Sequence, residues 1–128
     1  MSEQVRAAVF VKGNTPDAAL ASRAQCEAWA AERGYEVVEC YESAGRMDVL
    51  LDVMNDIALR RFDVLVAAKT TEFGRQARPV QALVDRANRF GVVVSLVGAA
   101  EDLTSPSGHL VLALRTAEDE AIEAREEW

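Results

Sequence analysis

The sequence is poor in several features, and each shortage excludes a class of protein. It has no apolar run near the roughly 18 to 20 residues that cross a membrane. Its start, Met1-Ser2-Glu3-Gln4, lacks the basic and then apolar pattern of a signal peptide. The 2 cysteines, Cys26 and Cys40, have neither CxxC nor metal-site spacing, and the 1 histidine, His109, has no evident partner. These shortages predict a cytoplasmic protein with reduced thiols, no bound metal and no contact with a membrane.

Basic residues are also in deficit. The chain has 14 Lys and Arg against 21 Asp and Glu, a net charge of −7 over 128 residues. A protein that grips DNA neutralises phosphates with Lys and Arg, so an acidic surplus opposes that attraction. We therefore expect DNA binding by this chain alone to be weak or absent. The length suits a single domain, 1–128, with one core.

Apolar, β-rich segments alternate with segments of helical periodicity along the whole chain. The predicted strands are residues 5–11, 35–41, 62–68 and 92–97. The predicted helices run from 16 to about 33, and over 48–61, 78–90 and 106–128. This alternation predicts a three-layer α/β/α domain with a mainly parallel sheet of four or five strands and a long C-terminal helix.

Local signals mark the ends of the first helix. Thr15 offers a hydroxyl at the N-cap and Pro16 suits the first helical position, while Gly34 is a natural residue just past the C-terminus. Three segments, 12–15, 41–46 and 69–75, follow predicted strands. Because ligands bind at the carboxyl edge of such sheets, these segments form the candidate site.

Five segments occur in one order and at set spacings: residues 8–15, Gln25, 61–66, 73–75 and 104–110. Together they resemble the catalytic domain of the serine recombinases, the resolvase and invertase family. Residues 8–15 are similar to the family's apolar strand followed by arginine, any residue, serine and threonine. Residues 73–75 are similar to the end of its aspartate-arginine-leucine-glycine-arginine motif. The resemblance covers essentially the whole chain and implies the resolvase fold.

The family's chemistry, as the resemblance implies it, uses a serine that attacks phosphorus and becomes linked to DNA. In this chain Asn14 stands at the position of that serine, and an amide cannot attack a phosphodiester. Lys12 stands at the position of the arginine two residues earlier, which keeps the charge but not the bidentate fork.

The family also clusters arginines around the scissile phosphate. Thr71 and Glu72 stand at the positions of the family's aspartate and its first arginine, so Glu72 reverses a charge where phosphate would lie. Arg75 is retained, and Arg46 corresponds to the arginine after the second strand. Lys12, Arg46 and Arg75 could form a residual anion site, or Arg75 could tie its loop to the next helix.

Several of these residues also have simpler interpretations. Asn14 either contacts a ligand or satisfies backbone groups in the turn. Thr15 is either a substitute nucleophile or an N-cap, and we favour the N-cap. Glu72 is either a general base or a solvated surface charge, and we favour the surface charge. Cys26 and Cys40 are interpreted as small apolar fillers.

The last predicted helix differs from the family pattern because acidic residues outnumber basic ones. An apolar stripe along it predicts a homodimer and consists of Leu110, Leu114, Ala117 and Ala121. Another recombinase or protein could also be the partner. The helix-turn-helix domain that full recombinases place after this helix is not expected within residues 1–128.

Three functions of different classes follow. The favoured one is a catalytically inactive recombinase-like domain that acts in interaction or regulation, through oligomerisation, in relation to DNA recombination. The alternative is an active recombinase or a strand-transfer component on DNA. The third is a small-anion or flavin-type binder that uses the turn at a helix N-terminus. No cofactor is predicted for the favoured function.

Overall fold

The computed structural model describes residues 4–13, 15–44, 46–73, 77–97, 102–106 and 108. Strands and helices alternate within them, as predicted. The strands are β1 (Arg6–Val11), β2 (Glu36–Glu42), β3 (Val64–Ala67) and β4 (Val93–Leu96). The helices are α1 (Pro16–Glu32), α2 (Met47–Ala58) and α3 (Ala77–Phe90), with a short 3₁₀ helix at Thr70–Phe73. Most of the predicted C-terminal helix, residues 109–128, lies outside the described residues.

The described strands form one parallel sheet in the order β2-β1-β3-β4. Central strand β1 pairs with β2 on one side, where Phe10 lies opposite Tyr41, and with β3 on the other, where Ala8 lies opposite Leu65. Because every pair is parallel, the carboxyl ends of all strands lie at one edge. The predicted parallel sheet is confirmed, with four strands in the described part of the chain.

Side chains of β1 alternate between two cores. Ala8 and Phe10 are buried in a core that also contains α2 and α3, whereas Val9 and Val11 are buried in a core with α1. A strand buried on both faces is expected to be apolar throughout, as β1 is. The helices therefore cover both faces of the sheet, which confirms the predicted three layers.

The two helical layers use side chains of different size. On one face, α2 and α3 bury large side chains such as Val53, Ile57 and Leu83. On the other face, the buried residues of α1 are Ala19, Cys26 and Ala30. Burial raises the pKa of the Cys26 thiol to about 12, which keeps it protonated and unreactive. The filler interpretation of Cys26 is confirmed, while Cys40 on β2 is only partly buried.

Helices α1 and α3 end where the sequence predicts, because a glycine follows each of them. Gly34 and Gly91 have φ of 74° and 73° just after α1 and α3. Helix α2 ends at Ala58, whereas the pattern predicted residue 61. The reason is that Leu59 caps the helix and Arg60 takes a φ of 53°, which ends the helix without a glycine.

Arg60 and Asp63 join three loops at the amino edge of the sheet. Asp63 Oδ2 accepts the backbone N–H of Arg6 at 3.0 Å, and its Oδ1 lies 3.4 Å from the Arg60 guanidinium. Arg60 also donates to the carbonyl oxygen of Phe90 at 2.6 Å. The Arg6 N–H, helped by the guanidiniums of Arg6 and Arg60, holds the pKa of Asp63 below its usual value.

We predict that Asp63 makes stability depend on pH in the acid range. Because its pKa is lowered by folding, the stabilisation is fully present above the unfolded value of about 3.9 and is lost as the pH falls through the lower folded value. Asp63→Asn should lower the free energy of unfolding by about 1 kcal/mol at pH 7 and by progressively less below about pH 4. Urea unfolding of both proteins from pH 2 to pH 7 measures the difference.

Asp48→Asn is the matched control. Asp48 also pairs with an arginine, Arg46, but both side chains are exposed, so water already screens the pair. Its removal should leave the urea midpoint nearly unchanged. A constant gap between wild type and Asp63→Asn across the whole pH range would contradict the prediction.

Candidate functional site

A cleft of about 490 Å³ lies at the carboxyl edge of the sheet. Its walls come from the turn after β1, one face of α1 and the segment after β3. The lining residues are Lys12, Gly13, Ala18, Ser22, Gln25, Ala68, Lys69, Thr71 and Glu72. Two of the three predicted segments, 12–15 and 69–75, therefore contribute to one site. In the third segment, 41–46, the described residues do not line the cleft.

Gly13 allows the turn after β1 to pack closely on α1. Its φ is 50°, in the left-handed region that side chains disfavour. A Cβ on Gly13 would lie 2.5 Å from the Cβ of Ala19 and 2.8 Å from its Cα. Backbone conformation and space both require glycine, and Gly13 thereby fixes the position of Lys12 against the helix.

Thr15 is the N-cap of α1, as predicted. Its backbone is extended, with φ of −132°, and its Oγ1 accepts the backbone N–H of Ala18 at 3.2 Å. Pro16 follows at the start of the helix, where its missing N–H is not needed. The Thr15 hydroxyl oxygen therefore has a structural partner.

Glu72 is buried, and the prediction of a solvated surface charge was wrong. Only 7% of the residue is exposed. Its Oε2 accepts the backbone N–H of Lys12 at 2.7 Å, and its Oε1 accepts the hydroxyl of Ser22 at 3.0 Å. A buried carboxylate is costly unless donors replace the lost water, and here a backbone N–H and a hydroxyl do so.

The 3₁₀ helix Thr70–Phe73 explains why Glu72 points inward. This short helix follows β3 and packs across the carboxyl ends of the strands, and the Phe73 ring lies 5.0 Å from the ring of Phe10. The Glu72 N–H donates to the carbonyl oxygen of Lys69 at 3.1 Å, which tightens the segment. Phe73 and Glu72 are both buried. The packing of Phe73 on Phe10 therefore places the neighbouring Glu72 carboxylate in the cleft.

Sequence reasoning missed Ser22, and it included Lys69 only as part of the candidate segment 69–75. Ser22 lies between Ala18 and Gln25, and the three residues occupy positions i, i+4 and i+7 of α1. Residues at this spacing share one helix face. The face contains one hydroxyl and one amide and begins one turn after the candidate segment 12–15, so its spacing is the signal that could have identified Ser22.

The charged groups of the cleft are of both signs. Lys12 and Lys69 line it together with Glu72, and Thr71 adds an exposed hydroxyl-bearing residue. The ion pairs found among the described residues include neither lysine. Glu72 is thus held by a backbone N–H and a hydroxyl rather than by either lysine.

The predicted site residues are only partly brought together. Lys12, Thr71 and Glu72 line the cleft. Arg46 does not: 71% of its side chain is exposed, and its guanidinium lies 2.6 Å from the Asp48 carboxylate. Among the described residues, Arg46 thus pairs with a neighbouring carboxylate and is not grouped with Lys12, while the residual anion site that would also need Arg75 stays a prediction. Asn14 and Arg75 lie outside the described residues, as does His109.

Within the ranges that the structure describes, no three His, Cys, Asp or Glu side chains are grouped so as to hold a metal ion. None of the helices in those ranges is long and apolar enough to cross a membrane.

The parallel sheet, its two helical layers and the cleft at its carboxyl edge define a three-layer α/β/α domain. The chain matches the family described as Resolvase, N terminal domain, over residues 15–126, and it belongs to that family. The resemblance predicted from the sequence motifs is confirmed. No curated protein is similar to the chain at a significant level.

Three solved structures have the same fold. A resolvase family site-specific recombinase from Streptococcus pneumoniae is 21% identical, with a TM-score of 0.82 over 97% of this chain and 93% of that one. The N-terminal catalytic domain of TP901-1 integrase is 20% identical, with a TM-score of 0.75 over 96% and 99%. The C-terminal catalytic domain of ISC1926 TnpA, an IS607-like serine recombinase, is 19% identical, with a TM-score of 0.64 over 75% and 72%.

We predict that Gly13→Ala destabilises the protein more than a glycine replacement that is strained only in φ. Gly34→Ala is the matched control, because Gly34 also has a positive φ, 74°, but a Cβ there would meet nothing within 4 Å. The control should lose roughly 1–2 kcal/mol from the left-handed conformation alone. Gly13→Ala adds the clash with Ala19 and should lose more, as measured by urea unfolding. Equal losses would show that the turn moves freely away from α1.

Proposed function

We propose that this chain is a catalytically inactive member of the resolvase family that acts in interaction or regulation connected with site-specific DNA recombination. Family membership supports the connection with recombination. The observation that carries the inactivity is Glu72, a buried carboxylate in the cleft at the position where the family resemblance places an arginine.

Replacing arginine by glutamate at position 72 reverses the sign of the charge that a DNA phosphate would meet. At about 4 Å, two unit charges interact by roughly 1 kcal/mol in water and about 4 kcal/mol at an effective dielectric constant near 20. An arginine at position 72 would attract a DNA phosphate by such an amount, and Glu72 repels it by a similar one. Lys12 and Lys69 offset part of the repulsion. The replacement still removes the bidentate donor that best fits a phosphate.

The described hydroxyls beside the turn have structural roles. Thr15 Oγ1 accepts the N–H of Ala18, and the Ser22 hydroxyl donates to Glu72. Asn14, at the position of the family's serine, has an amide in place of a hydroxyl. Attack on phosphorus needs a free nucleophile and positively charged groups that bind the phosphate. Both requirements are less well met in this chain than in the family pattern.

An active strand-transfer enzyme is the second candidate, and Lys12 and Lys69 favour it because they keep positive charge in the cleft. In that case Thr15 would have to give up its cap to attack, or a DNA-binding subunit would have to supply affinity. A flavin-type binder has less support, because the described residues that line the cleft include no aromatic side chain to stack on a flavin ring.

A cleavage assay tests the proposal. Wild-type protein incubated with supercoiled plasmid should give neither nicked DNA nor a covalent protein–DNA product on denaturing gels. Asn14→Ser together with Glu72→Arg restores the family's residues at both positions, and we expect it to give detectable covalent product where the wild type gives none. Asn14→Ala with Glu72→Arg is the control that lacks the hydroxyl.

Covalent product from the wild type would overturn the inactive assignment, and its loss in Thr15→Val would identify Thr15 as the nucleophile. Absence of product from the double variant would mean that inactivity extends beyond these two positions.

We also propose that the chain forms a homodimer through its last helix. The support is the apolar stripe that includes Leu110 and Leu114, which lies outside the described residues. Light scattering should give twice the monomer mass at high concentration, and Leu114→Glu should shift the protein towards monomer because a charge would be buried in the interface. Leu20→Glu, at a residue of α1 that is 65% exposed, is the control. A strict monomer for the wild type would contradict the dimer.

A further inference from the structure

We propose that the Glu72 carboxylate is a built-in anion that occupies a phosphate-binding position in the cleft, so that the chain blocks its own anion site. The inference rests on the proposed function, since it explains how the inherited cleft is kept from binding DNA phosphate. In addition, the anion site is still formed in this chain, and the protein's own Glu72 carboxylate occupies it.

The donors around Glu72 are those that hold phosphate oxygens in proteins. One is a backbone N–H, from Lys12 at 2.7 Å, and the other is a hydroxyl, from Ser22 at 3.0 Å. They come from two different elements, the turn after β1 and helix α1, and each binds a separate carboxylate oxygen. Backbone N–H groups beside a helix N-terminus commonly bind anionic oxygen atoms. A carboxylate and a phosphate both present such oxygens.

The charges around the cleft also suit an anion. Lys12 and Lys69 line it, yet the ion pairs of the described residues include neither. If Glu72 served only to neutralise a lysine, a direct pair would be expected. Instead the carboxylate is bound through the backbone and Ser22, and both lysines line the same cleft outside any ion pair of the described residues.

Occupancy of this position is coupled to the shape of the cleft. The two hydrogen bonds of Glu72 connect the 3₁₀ helix Thr70–Phe73 to Lys12 and to Ser22 across 60 and 50 residues of chain. Phe73 packs on Phe10 and holds the backbone of the short helix in place. Shortening the Glu72 side chain therefore exposes both donors while the neighbouring anchor stays.

The test compares Glu72→Ala, Glu72→Gln and wild type in a titration with inorganic phosphate at constant ionic strength. Amide ¹H–¹⁵N spectra report on the Lys12 N–H directly. The Lys12 shift of the wild type should not saturate within the titrated range, which sets a lower limit on its dissociation constant for phosphate. Glu72→Ala removes both oxygens and should give a saturable shift, with an affinity tighter than that of the wild type by on the order of tenfold or more. Glu72→Gln keeps the shape and loses the charge, so its affinity should lie between.

Glu32→Ala is the matched control because it removes one exposed acidic charge from α1 without touching the cleft. If it gains phosphate affinity equal to that of Glu72→Ala, net charge explains the effect and the inference is overturned. A folded Glu72→Ala with no saturable shift also overturns it. If Glu72→Ala does not fold, Glu72→Gln decides: the inference requires it to bind phosphate more tightly than the wild type does.

These outcomes are separate from those of the proposed function. Failure of the phosphate titration leaves the absence of DNA cleavage untouched. Cleavage by the wild type would overturn the inactive assignment whatever the Glu72 variants bind.

Discussion

Central strand β1 is the constraint on which the other elements depend. It pairs with β2 and β3 at its two edges and is buried by helices on both faces. Its side chains alternate between two separate cores, one on each face of the sheet, with Phe10 in one core and Val9 in the other. Its carboxyl end leads directly into Lys12 and Gly13, so the strand that organises the cores also places the first wall of the cleft.

Burial and charge at Glu72 connect this architecture to function. A carboxylate at this position is compatible with folding because Lys12 and Ser22 supply two donors. The same carboxylate is poorly compatible with a DNA phosphate, since two anions would compete for those donors and repel each other. Under the proposed function, a single side chain thus bridges two elements of the fold and opposes the binding of a DNA phosphate.

The fold was largely predictable because its signals are local. Strand and helix periodicity reports which side chains are buried, and Gly34 and Gly91 mark helix ends through positive φ. The end of α2 was missed because Arg60, a residue with no such signature, takes that conformation. The role of Glu72 was missed because its partners are 60 and 50 residues away along the chain. One partner is a backbone N–H, which nearly every residue has, so the sequence gives no sign of it. Arg46 was assigned to the site by motif position, yet a carboxylate two residues further on holds it.

The small size of the buried residues in α1 limits which substitutions the domain can accept in evolution. Ala19, Cys26 and Ala30 are the buried residues of α1, whereas α2 and α3 bury larger side chains such as Ile57 and Leu83. A bulkier side chain in a well-packed core forces off-rotamer side chains and shifts of the backbone. Ala18, Ser22 and Gln25 are on the same helix and line the cleft. A larger buried residue in α1 is therefore expected to alter the wall of the cleft as well as the core.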